Sequence, residues 1–116
     1  MKPEAQLATQ ARRLLEAAPA ATLPMTYQQL GEALGLKPPR TIRRVAQALE
    51  TLMREDAEQG RPFIAALVVS RRGGSVPAQG FFDLAVALGR FPADTEQHDA
   101  VYREEFRRAL AARDGT

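Results

Sequence analysis

The chain of 116 residues contains no cysteine, no tryptophan and a single histidine, His98. Without cysteine there can be no disulfides, thiolate metal sites or cysteine nucleophiles. One histidine rules out a multi-histidine metal centre within one chain. No apolar run approaches the ~20 residues of a membrane span, and residues 1–4 lack the features of a signal peptide. These absences predict a cytoplasmic protein with no membrane contact, no metal and no cofactor.

Apolar residues make up 45% of the chain, which is sufficient for a globular core. The length allows one domain. We therefore expect a single domain over residues 1–116. Its core covers about residues 4–90, and an additional helix covers about residues 94–113.

Apolar residues recur at helical spacing in three stretches before residue 60. The first stretch covers residues 4–18. The second begins after Thr26, whose hydroxyl is suited to capping a helix, and ends at Gly35. The third runs over residues 40–59, after a stiff turn with two prolines. Six of its apolar side chains are predicted to face the core: Ile42, Val45, Ala46, Leu49, Leu52 and Met53.

The second half of the chain contains the predicted β-structure. Residues 63–70 are an apolar, β-branched run that predicts a strand buried on both faces, and residues 71–75 (Arg-Arg-Gly-Gly-Ser) are a strong turn signal. After the turn, two alternatives stay open: a returning edge strand over residues 76–82, or a fourth helix over residues 81–89. The returning strand would complete a hairpin. The predicted fold is mainly α with a small β-hairpin, a winged helix-turn-helix with an additional C-terminal helix.

The formal net charge is only +2, but the cations are clustered. Residues 37–54 carry five cations against Glu50 alone, and residues 61–82 carry three cations and no acid. The arginines of the third helix lie opposite its apolar stripe, and such a helix fits the major groove of double-stranded DNA. The predicted nucleic-acid contacts are Lys37, Arg40, Arg43, Arg44 and Gln47, with Arg71 and Arg72 at the tip of the wing.

Two functions from different classes are compatible with this pattern. The first is a non-enzymatic DNA-binding protein, either a regulator or an accessory factor. The alternative is a protein-interaction module, in which Tyr102 and Phe106 of the C-terminal helix pack against a partner or a second copy. We expect no enzyme, because no nucleophile, base and orienting group can be assembled from these residues. Acidic residues around His98 are interpreted as the N-terminus of the last helix rather than a metal site.

Several short motifs occur in an order found in a known family. Residues 26–30 read Thr-Tyr-Gln-Gln-Leu, Gly35 follows, and residues 43–49 read Arg-Arg-Val-Ala-Gln-Ala-Leu. Val68, Val69, Gly74, Gly80 and Phe81 come after them. This order, over residues 24–82, resembles the DNA-binding domain of methylguanine-DNA methyltransferases and alkyltransferase-like proteins.

The resemblance implies a winged helix in which Tyr27 and Arg43 help to rotate a target nucleotide out of the duplex. The family's reactive Pro-Cys-His-Arg motif would fall on residues 64–67, which are Ile-Ala-Ala-Leu here. We therefore expect no transfer of an alkyl group to this chain.

Overall fold

The computed structural model describes residues 4–70 and 76–114. Within them the chain forms five α-helices and two short strands, linked in places by 3₁₀ turns. The elements are α1 (Glu4–Ala17), β1 (Met25–Thr26), α2 (Tyr27–Ala33), α3 (Thr41–Gln59), β2 (Val68–Val69), α4 (Gln79–Ala87) and α5 (His98–Asp114). The 3₁₀ turns are Ala20–Thr22, Ile64–Leu67 and Thr95–Gln97. The predicted mainly helical class is confirmed.

The ends of α2 follow from local side-chain chemistry. The Thr26 hydroxyl accepts a hydrogen bond from the Gln29 backbone amide (3.0 Å), and the Gln29 side-chain oxygen accepts one from the Thr26 amide (2.9 Å). This reciprocal pair satisfies two amides that have no partner in the first turn. Gly35 follows α2 with φ +76°, a conformation that glycine adopts at little cost. Both predicted signals, the Thr26 cap and the Gly35 stop, are confirmed.

Helix α3 is the longest helix and buries one side. Val45, Leu49, Leu52 and Met53 are buried as predicted, while Ala46 is half-buried. The prediction for Ile42 is wrong, because 49% of this residue is exposed. Ile42 lies in the first turn of α3 and lines an open groove beside α2, so no apolar element covers it.

The two strands pair in parallel, with Met25 opposite Val68 and Thr26 opposite Val69. The predicted hairpin, and with it a strand over residues 76–82, is therefore wrong. Pro77 has no N–H to donate to a strand, and α4 begins two residues later. The Ser70 amide donates to the Val76 carbonyl (2.8 Å).

Residues 63–69 are all buried, as predicted, but residues 64–67 form a 3₁₀ turn instead of a strand. Two buried carboxylates explain the difference. Glu105 Oε2 accepts from the Phe63 amide (2.6 Å), and Asp56 Oδ2 accepts from the Ile64 amide (3.0 Å). These amides are satisfied by side chains from α3 and α5, so they need no neighbouring strand.

The core draws on all five helices, through residues such as Leu7, Leu30, Leu52, Phe81 and Tyr102. Helix α5 is tied to α1 as well, because the Arg113 guanidinium donates to the carbonyl oxygens of Leu15, Glu16 and Ala18. Cations near the last carbonyls of a helix are favourable. The predicted additional C-terminal helix is thus an integral part of the core on which α3 rests.

Candidate nucleic-acid interface

The turn between α2 and α3 brings a group of cations to the start of α3. After Gly35 the chain passes through Pro38 and Pro39, and Arg40 takes the position just before the helix. Arg40 has φ +68°, which is rare for a residue with a side chain and costs about 1–2 kcal/mol. Such strained positions concentrate at functional sites.

Four of the predicted contacts form the basic patch, which we define as Lys37, Arg40, Arg43 and Arg44. Lys37, Arg40 and Arg43 are exposed, and Arg44 is half-buried. Arg40 and Arg43 line the same open groove between α2 and the start of α3. Gln47 follows Arg43 by four positions and is half-buried, so the structure keeps it on the same side of α3.

Most arginines elsewhere in the described chain are committed to partners. Arg12 and Arg61 pair with Asp56, Arg90 pairs with Glu105, and Arg113 binds carbonyl oxygens. Among the residues the structure describes, six cations make no ion pair or hydrogen bond: Arg13, Lys37, Arg40, Arg43, Arg54 and Arg108. Three of these six lie within residues 37–43. Positive charge without internal compensation is therefore concentrated at the start of α3.

No acidic side chain stands in the first turn of α3, and the side chain of Arg40 makes no capping hydrogen bond. The partial positive charge of a helix N-terminus therefore adds to the charge of the basic patch. The acids of α3 lie later in the helix, from Glu50 onward. One end of α3 is consequently suited to an anionic partner.

Helices α2 and α3 approach each other closely behind the basic patch. A Cβ placed on Gly31 would stand 2.6 Å from Thr41 Cγ2 and 3.3 Å from Val45 Cγ2. Any side chain at position 31 would therefore have to displace these groups of α3. An open groove of about 410 Å³ lies beside the crossing, and its walls include Ile42, Arg40, Arg43 and the acidic Glu32 of α2.

The structure places Tyr27 in the core, whereas the basic patch lies at the surface. Tyr27 is buried, and its hydroxyl oxygen accepts a hydrogen bond from the Ala78 amide (2.9 Å). Burial raises the pKa of Tyr27, so the hydroxyl stays protonated at neutral pH. Tyr27 lines a cavity of about 40 Å³ together with Ala65, where the resemblance would place the reactive cysteine. This volume is far below the ~300 Å³ or more of small-molecule sites.

Arg71 and Arg72, the predicted contacts of the wing, lie outside the described residues.

The alternative function predicts a partner surface formed by Tyr102 and Phe106, and the structure buries part of this surface in the core. Tyr102 is buried and its hydroxyl donates to the Ala66 carbonyl (2.9 Å). Phe106 is half-buried beside it. The polar residues near the start of α5 also have structural partners: Asp94 accepts from the Glu96 amide, and His98 stacks on Phe82.

Sequence reasoning missed the two buried carboxylates, Asp56 and Glu105. Asp56 carries three interactions: with Arg12 Nη1 (2.9 Å), Arg61 Nη2 (3.2 Å) and the Ile64 amide. A signal was present, because Asp56 follows Leu52 by four positions and Met53 by three, within the apolar stripe of α3. Glu105 follows Tyr102 by three positions in the same manner.

Comparison of the chain with protein-family models, curated protein sequences and solved structures found no match. The similarity to the methyltransferase DNA-binding domain therefore stays a prediction from the motifs. Within residues 4–70 and 76–114, no helix has both the length and the apolar character needed to cross a membrane. Over the same residues, no three histidine, aspartate or glutamate side chains gather as a metal would require.

Proposed function

We propose that this chain is a non-enzymatic DNA-binding protein in which α2 and α3 form a helix-turn-helix and the basic patch contacts duplex DNA. The observation that carries the proposal is the concentration of uncompensated cations in residues 37–43. Internal ion pairs would have neutralised these charges. The phosphates of a polyanionic partner such as DNA would pair with these cations instead.

The relative placement of α2 and α3 supports the helix-turn-helix. Such motifs join two helices by a turn that often contains glycine, and the second helix enters the groove. Here the seven residues 34–40 form the connection, which is longer than the ~3–4 residues of the compact motif. Gly35 lies near the start of this connection, Gly31 allows the close crossing, and α3 begins at the basic patch. Arg71 and Arg72, outside the described residues, stay predicted phosphate contacts.

The proposal can be tested by fluorescence anisotropy with a labelled duplex of mixed sequence, titrated at several salt concentrations. If the four cations of the basic patch each neutralise one phosphate, the slope of log K against log salt is about −3.6. An Arg40→Ala/Arg43→Ala variant should bind more weakly, with a slope smaller in magnitude by about 1.8.

The matched control is an Arg13→Ala/Arg108→Ala variant. Both of these arginines are exposed and unpaired, and they lie on α1 and α5. This variant loses the same net charge but keeps the basic patch, so its affinity and salt slope should match the unmodified chain. Equal losses in the two variants would mean that net charge alone drives association. Absence of binding at low salt would refute the DNA-binding proposal and would favour a protein partner.

A further inference from the structure

An exposed apolar side chain lies among the cations at the start of α3. Among the described residues, Ile42 is the one large apolar side chain that is exposed. It precedes Arg43 directly and follows Arg40 by two positions, in the first turn of α3. Burying an isoleucine is favourable, so a partner that is anionic and also apolar at one point would gain from contact with Ile42 as well as with the arginines beside it.

Double-stranded DNA meets both conditions. Its phosphates complement Lys37, Arg40 and Arg43, while the apolar group that it presents in the major groove is the 5-methyl group of thymine. The N-terminal residues of a recognition helix are those that reach the base edges. Ile42 occupies this part of α3, and 49% of this residue is exposed.

We infer that Ile42 is a specificity-determining residue that contacts the 5-methyl group of thymine when α3 enters the major groove. This inference rests on the proposed DNA-binding function. Arginine contacts to phosphates position the helix without reading sequence. Ile42 then adds a preference for sites that place thymine opposite the first turn of α3.

The test compares duplexes that differ only in this methyl group. Alternating d(AT) and d(AU) duplexes present thymine or uracil in every register, so the preferred sequence need not be known. The unmodified chain should bind d(AT) about three- to fivefold more tightly than d(AU) for each methyl group contacted, the factor that burial of one methyl-sized group gives. An alternating d(GC) duplex and its 5-methylcytosine form should show the same preference for the methylated member.

The variant Ile42→Ala should bind d(AT) and d(AU) equally, with an unchanged salt slope, while Ile42→Val should keep most of the preference. Because Ile42 is exposed, circular dichroism should show both variants folded. Binding without any thymine preference in the unmodified chain, or the same preference in Ile42→Ala, would overturn the inference and leave the DNA-binding function standing. Absence of binding to every duplex at low salt would instead refute that function and the inference together.

Discussion

The buried carboxylate of Asp56 allows a quantitative prediction about stability. Asp56 is fully buried, lies 2.9 Å from Arg12 Nη1 and accepts a hydrogen bond from the Ile64 amide. Its neighbour Glu55 lies 3.1 Å from the same guanidinium, but 51% of its side chain is exposed. The two acids therefore differ in burial while sharing one cationic partner.

Replacing Asp56 by alanine should cost about 3–5 kcal/mol of unfolding free energy. The unpaired Ile64 amide accounts for about 1–3 kcal/mol of this, because a buried donor without a partner is costly. The remainder comes from Arg12, whose side chain is only 17% exposed and loses its buried counter-charge. Glu55→Ala should cost at most about 1 kcal/mol, since solvent screens an exposed pair. Asp56→Asn, which keeps an acceptor for Ile64 without the charge, should fall between them.

Urea unfolding followed by circular dichroism measures these differences. With an m-value of about 2 kcal/mol per molar urea, Asp56→Ala should lower the midpoint by about 2 M and Glu55→Ala by no more than about 0.5 M. A loss of 4 kcal/mol, about the centre of the range, is a large part of the ~5–15 kcal/mol that stabilises a domain. Equal midpoints for the two alanine variants would refute the argument that burial of Asp56 makes its interactions strong.

Three further predictions follow from individual contacts. Gly31→Ala should destabilise the fold by about 1–3 kcal/mol in thermal unfolding, because the added carbon would stand 2.6 Å from a side chain of α3. The control Gly80→Ala has open space around the added carbon and should be neutral or stabilising by about 0.5 kcal/mol. Tyr27→Phe should cost about 1–3 kcal/mol by leaving the Ala78 amide without its partner, and it should leave DNA affinity unchanged; a selective loss of affinity would point to a direct contact. Burial raises the pKa of Tyr27 and of Tyr102, so these tyrosines ionise at lower pH in the unfolded chain than in the folded one. The urea midpoint should therefore stay constant up to about pH 10 and fall above it. A midpoint that stays constant above about pH 10 would contradict this.

Helix positions could be predicted from the sequence because their signals are local. Thr26 and Gln29 cap α2 through their own backbone, and Gly35 ends it through its own φ angle. The apolar stripe of α3 is likewise a property of consecutive residues, and it identified Val45, Leu49 and Leu52 as core. The exposure of Arg40 and Arg43 agrees with the polar face that the same helical pattern predicts.

The errors concern contacts between distant parts of the chain. A hairpin was predicted because residues 63–70 and the glycine-rich turn are neighbours in sequence, but β2 pairs with β1, some forty positions earlier. The 3₁₀ turn before β2 depends on Asp56 and on Glu105 of α5, which no local pattern links to it. Ile42 fits the stripe of α3 by periodicity, yet whether it is covered depends on where the other elements end.

The sequence by itself thus determined the mainly helical class, the capped and terminated ends of α2, and the cationic face at the start of α3. Spacing along one helix and the conformational preferences of threonine and glycine are enough for this, since they act within a few residues. Only the tertiary structure decided that the strands are parallel, that the Tyr27 hydroxyl accepts a hydrogen bond from the Ala78 amide, and that Ile42 lies open beside uncompensated arginines. Each of these depends on which surface another element covers, and that choice is made by packing of the whole chain rather than by any one segment.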